Sequence, residues 1–164
     1  MELYRLYFSY AMSISVRYSE TQEEAKEVVQ DSFVKLFSNF IKFESQATFK
    51  GWFRKIIIYT SIDYYRKYSK HNHHLDIVEE EVGEIQESIL SSISANEILE
   101  LTRKLPPAYR IVFMLFIVEG YKHVDIAEKL GISVGASKSN LSKARKKMQK
   151  MILDNDKTAT KRHA

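Results

Sequence analysis

An all-α fold is what the sequence predicts, on three observations. Glycine (5) and proline (2) are both scarce in 164 residues, runs of alternating Val, Thr and Ile that would mark strands are missing, and apolar residues recur at spacings of three and four. A hydrophobic share of 45% suffices to bury a core, as one ordinary domain or two small ones. The lack of cysteine excludes disulfides, thiolate nucleophiles and cysteine-based zinc sites, and fits a reducing interior. The opening MELYRLYFSYAMSISVRYSE lacks the basic start, apolar core and cleavage site of a signal peptide. No run approaches the length of a membrane span, so a soluble, cytoplasmic protein without membrane insertion is expected.

Residues 3–18 read as a first helix. Thr21-Gln22-Glu23-Glu24 matches a capping box and opens a second. Along it Ala25, Val28, Val29, Phe33, Leu36, Phe37 and Phe40 form the expected buried stripe, with Glu23, Glu27, Asp31 and Lys35 on the other side. After a short loop around Glu44 to Ala47, a third helix runs from about Thr48 to Tyr68 and completes a first domain, residues 1–70. In that helix Phe49, Trp52, Phe53, Tyr59, Tyr64, Tyr65 and Tyr68 interleave with Lys50, Arg54, Lys55, Arg66, Lys67 and Lys70. Aromatic faces stack on unpaired bases and cations follow the backbone, so the mixture suits single-stranded DNA. The structural reading is also strong: Trp52, Phe53 and Ile56 are spaced as core residues, and at least half of the aromatics are expected to fill the interior. Tyr59 and the tyrosines at 64–68 are the expected exposed ones.

Residues 71–97 carry seven acidic and no basic side chains and few aromatics, and read as a flexible acidic linker. A helix from about Ala95 to Lys104 is then stopped by Pro106-Pro107, and Pro107 can open the next. That helix, Tyr109 to Glu119, ends at Gly120. A shorter one, about Val124 to Leu130 with Ile126, Ala127 and Leu130 inward, ends at Gly131, and Ser133 caps a final helix from Val134. Residues 98–153 thus form a second domain with the helix-turn-helix pattern, followed by a tail, 154–164.

Charge divides unevenly. Residues 1–70 carry 11 basic and 8 acidic side chains, and residues 98–164 carry 14 and 6. A basic carboxy-terminal third is the footprint of a polyanion binder. On the final helix, Val134, Leu141, Ala144, Met148 and Ile152 gather on a core side, and Ser139, Lys143, Lys146 and Lys150 gather opposite, flanked by Gly135 and Ser142. Such a lysine face is ordinarily just solvated. Two features favour DNA instead: no acidic residue stands between Val134 and Leu153, and the first turns hold small residues, Ser133, Gly135, Ala136, Ser137 and Ser139. Small residues let a helix enter a groove while lysines meet phosphates. Base reading is sparse, because the one arginine, Arg145, falls near the core side.

Three segments, EEAKEVVQDSFVKLF (23–37), FKGWFRKIIIYTSIDYYRK (49–67) and LPPAYRIVFMLFIVEGYKHVDIAEKLGISVGASKSNLSKARKKM (105–148), resemble in order and spacing the extracytoplasmic-function (ECF) sigma factors, in the version common in Bacteroidetes-type bacteria. The likeness spans nearly the whole chain and implies two helical domains, sigma regions 2 and 4. It implies core RNA polymerase as partner, through its β′ clamp helices and β flap, with Glu27, Gln30 and Asp31 on the clamp. It also implies promoter DNA, duplex and single-stranded. Phe43, Trp52, Tyr59, Arg66 and Lys67 would serve the minus-10 element. Lys138, Ser139, Ser142 and Lys143 map to the family's minus-35 contacts, joined by Ser133, Asn140, Lys146 and Lys150. Tyr59 stands where many members place asparagine; it can stack on a base but lacks an amide's paired donor and acceptor. Ala136-Ser137-Lys138-Ser139-Asn140 stands where many read TVKSR, and Asn140 either reads an adenine or packs on the preceding helix. The linker would thread toward the RNA exit path, its acidic side chains imitating nucleic acid. An anti-sigma factor or other recruiting protein is an open partner class.

Two rivals remain at this stage. A stand-alone helix-turn-helix regulator accounts for the second domain but not for an acidic face beside an aromatic, basic helix. An enzyme would need a site, and His71, His73 and His74 are the only cluster that suggests a metal; they lie in the linker without a further ligand pair. Neither a catalytic residue, a metal nor a cofactor is expected.

Overall fold

The computed structural model describes residues 2–39, 48–69 and 94–162, with side chains of the last helix described as far as Asn155. Among the described residues it contains seven α-helices, one continued by a π-helical turn, and no strand. They divide between two compact units, within residues 1–75 and 76–164. Phe40, Phe43, the loop at 44–47, most of the acidic linker and His71, His73 and His74 lie outside the described residues.

In the first unit α1 (Glu2–Ser15), α2 (Gln22–Ser38) and α3 (Phe49–Ser69) each pack against the other two. The expected start of α2 is present. The Thr21 hydroxyl accepts from the Glu24 N–H at 3.1 Å, and the Glu24 carboxylate accepts from the Glu20 N–H at 2.9 Å. Amides that the helix itself cannot pair are thereby satisfied. Ala25, Val28, Val29, Phe33 and Leu36 are buried, with Ala11 and Ile14 of α1 and Phe53, Ile57, Ile58 and Ile62 of α3. Phe33 ties the three helices together: its ring lies 4.6 Å from that of Tyr4 and 4.9 Å from that of Phe53. Phe37, expected in the buried stripe, is 53% exposed. It sits in the last turn of α2, at the margin of the core, and reaches Phe33 only at 6.2 Å between ring centres.

In the second unit α4 (Ala95–Arg103) opens with a capping box between Ser94 and Glu97. The side chain of Arg110, from α5 (Pro107–Phe113), turns back onto the end of α4. It donates to the carbonyls of Thr102 (3.2 Å), Arg103 (3.0 Å) and Leu105 (2.8 Å). A cation buried in this way is matched by the negative end of the helix dipole and by otherwise orphaned carbonyls.

One uninterrupted helix was expected to Glu119. Instead the backbone widens to a π-helical turn over Met114–Val118. The wider turn keeps Met114 and Leu115 buried and leaves Ile117 and Val118 toward solvent. It closes at Gly120, φ 74°, where the Tyr121 N–H donates to the Leu115 carbonyl at 2.9 Å.

Next, α6 (His123–Leu130) ends at Gly131, φ 67°, a left-handed cap, and the N–H groups of Gly131 and Ile132 both donate to the Ala127 carbonyl. The final helix, α7, spans Val134–Arg162 and so continues through the residues expected to form a tail. Leu141, Ala144, Met148 and Ile152 are buried as the periodicity requires. Val134 is not: it is 37% exposed, and the inward place at this end is taken by Ser137, fully buried. Among the described residues no helix is long and apolar enough to cross a membrane.

Candidate nucleic-acid interface

The outer face of α7 begins with a cap. Ser133 accepts from the Ala136 N–H at 3.0 Å, so its hydroxyl serves the helix terminus. Gly135 follows. A Cβ added there would meet only the Ser133 hydroxyl, at 3.8 Å. No described residue requires glycine at that position, although glycine weakens a helix by roughly 0.5–1 kcal/mol relative to alanine. The space it leaves open is external.

Lys138, Ser139 and Lys150 are exposed, Asn140, Lys143 and Lys146 half-buried. The Ser142 hydroxyl oxygen is buried and has no hydrogen-bond partner among the described residues, so it does not look toward solvent. Ser137, counted from sequence among the small groove-entering residues, is turned inward and bonds to His123 at 2.9 Å. The extension of α7 also brings Asp154 into one surface depression with Lys146 and Lys150. The cationic face is therefore free of acid only as far as Leu153, about five turns from its start.

In the first unit Trp52, Tyr59 and Arg66 recur every seven residues and so share one stripe of α3. Trp52 is half-buried, Tyr59 43% exposed, Arg66 and Lys67 exposed, and Phe53 belongs to the core. Asp63 falls on the same stripe, but Lys35 of α2 pairs with it at 2.8 Å, which offsets its negative charge. The rings of Tyr64 and Tyr68 meet at 4.3 Å, tilted 38° to each other, and the Lys67 ammonium lies 5.0 Å above the Tyr68 ring.

Glu27, Gln30 and Asp31 are all exposed on α2. Glu27 accepts from the Tyr64 hydroxyl at 3.1 Å; burial and that carboxylate push the phenol up to about 12. Val34, 63% exposed, continues this face one turn on. Sequence reasoning missed Tyr64 as a link between helices, because an aromatic amid tyrosines at helical spacing gives no sign of which carboxylate it will meet.

The two units correspond to known families. Residues 3–71 match Sigma-70 region 2, and residues 95–148 match Sigma-70 region 4. The RNA polymerase sigma factor SigV of Bacillus subtilis is 30% identical over 155 residues, 94% of this chain and 87% of that protein. The ECF RNA polymerase sigma factor SigW of the same organism is 27% identical, over 80% of this chain and 76% of that one. The fold is shared with the sigma factor RpoE of Bartonella quintana, solved in complex with the anti-sigma factor NepR. The TM-score is 0.51 at 22% identity, over 93% of this chain and 95% of that one. With regions 2 and 4 in that order and kinship along nearly its full length, the chain belongs to the ECF sigma factors of the sigma-70 family, the subunits that direct RNA polymerase to promoters.

Proposed function

We propose that the chain carries out this role through three surfaces. The α2 face with Glu27, Gln30 and Asp31 docks on the β′ clamp helices. The α3 stripe of Trp52, Tyr59 and Arg66, with Lys67, holds melted minus-10 bases by stacking and charge. The outer face of α7 lies in the minus-35 major groove, with Lys138, Lys143, Lys146 and Lys150 toward phosphates and Ser139 and Asn140 toward bases. The second unit also meets the β flap. Gly135 carries this reading: a glycine in the first turn of a helix, without internal reason, beside exposed Lys138 and Ser139.

The chain itself supplies binding, not bond-breaking; the transcription chemistry is the polymerase's, and the setting is the cytoplasm. The Bartonella quintana factor is bound by an anti-sigma factor, and a protein of that kind is the regulator proposed here. The test is reconstitution. Purified chain added to core polymerase should yield run-off transcripts from promoter templates and none from core alone. Tight duplex binding by the chain alone, without association with core, would instead establish a stand-alone regulator.

A further inference from the structure

His123 takes no part in the surfaces above, yet it stands where three elements meet. Its ring stacks on Phe116 of the π-helical turn, 4.5 Å between centres and 24° between planes. Its Nδ1 is 2.9 Å from the hydroxyl of Ser137, fully buried in the first turns of α7. The ring opens α6, after Lys122, whose side chain has no acceptor for a helix amide; Asp125 compensates by accepting from the Lys122 N–H at 3.3 Å. Phe116, His123 and Ser137 thus clip the two helices of the helix-turn-helix together beside Lys138.

We propose that His123 is a positioning residue for the minus-35 surface, and that duplex binding at Lys138 is coupled to uptake of a proton by its imidazole. The inference rests on the reading of α7 as the minus-35 element. In the free protein burial, followed by the positive charges of Lys138 and Arg145, holds the imidazole below its ordinary range. Both charges come from α7. The π-helical turn, Met114-Leu115-Phe116-Ile117-Val118, offers no titratable group, and on its own helix the nearest are Lys122 and Asp125.

When a DNA phosphate neutralises Lys138, one of these two opposing charges is cancelled and the protonated ring becomes easier to form. Protonation leaves the clip intact. With both ring nitrogens protonated, Nδ1 donates and the Ser137 hydroxyl accepts, and the face of Phe116 is a favourable neighbour for a cation. The sign follows. The bound state holds the proton more tightly than the free state, so affinity for duplex rises as pH falls through the histidine range and is independent of pH above it.

The experiment uses holoenzyme assembled from core polymerase and the full chain, and as probe a duplex that this holoenzyme selects from a random-sequence library. Affinity is measured between about pH 6 and about pH 8, where an ordinary histidine titrates. Wild type should bind about threefold more tightly at the acid end; one proton limits the change to about tenfold per pH unit. His123→Asn keeps a hydrogen-bonding side chain without a titratable one and should lose this increment. An equal slope in both proteins overturns the coupling. Ser137→Ala, which leaves the ring titratable, should weaken binding about threefold at every pH, the order of one hydrogen bond; unchanged affinity overturns the positioning role.

In the full chain without DNA, the His123 ring resonance, identified by its loss in His123→Asn, should titrate at higher pH in Lys138→Gln than in wild type. The same titration point in both overturns the coupling independently of how His123→Asn folds. If Lys138→Gln and Lys143→Gln leave duplex affinity unchanged at all pH, the minus-35 reading itself fails, and the proposal with it.

Discussion

Gly135 separates two demands on one residue. Alanine there should raise the thermal stability of the chain, by up to about 1 kcal/mol, because helix propensity improves and the added Cβ has only an ordinary contact at 3.8 Å. Leucine at the same place should leave folding intact but weaken promoter binding, seen by paired melting and binding curves; undiminished binding would mean that the open space has no visitor. Lys143→Glu should lower promoter affinity and reduce the slope of log affinity against log salt by about 1, as expected when one phosphate contact is lost. Arg110 is different in kind. It is 3% exposed and satisfies three carbonyls, so Arg110→Met should destabilise the second unit by roughly 3 kcal/mol in chemical denaturation. A loss under about 1 kcal/mol would show that water replaces the guanidinium there. The role of Arg110 was not visible in the sequence: an arginine in PPAYRIVF gives no sign that its side chain will turn back to the carbonyls at the end of α4.

Most helices were legible because their limits are set by local chemistry that a sequence displays. Thr21, Pro107, Gly131 and Ser133 mark ends, and the caps at Thr21, Gly131 and Ser133 are made as the residue types suggest. Gly131→Ala tests the strength of one such signal. A Cβ there meets none of the described residues within 4 Å, so the loss is conformational, about 1 kcal/mol for a left-handed alanine. Thermal denaturation should report a fall of that size. What stayed hidden depended on neighbours distant in sequence. Phe37 has the spacing of a core residue but lies past the edge of the packed region, Val134 yields the inward place to Ser137 and is left exposed, and the Ser142 hydroxyl, on the flank of a polar face, is turned in. Periodicity gives an azimuth around a helix; it does not say how far along the helix a partner extends. The same limit hides the length of α7, which runs to Arg162 through Asp154 and later residues that carry neither an apolar stripe nor high helix propensity to mark them.

For the molecule as a whole, the surfaces on separate units should fail separately. Asp31→Lys should abolish association with core polymerase and run-off transcription without changing the melting temperature, because Asp31 is exposed. Lys143→Glu should leave core association unchanged. Loss of both activities in either variant would contradict a division of labour between α2 and α7. The π-helical turn at Met114–Val118 extends the same logic to genetics. A π turn holds one residue more than the α-helical path it interrupts. An in-frame deletion of a single codon within it can therefore heal into a regular helix, whereas a deletion elsewhere in α5 shifts every buried side chain that follows. The healed chain would carry Phe116 away from His123, giving a factor that still folds and still competes for polymerase but grips its promoters more weakly. Such an allele would be dominant over the wild type.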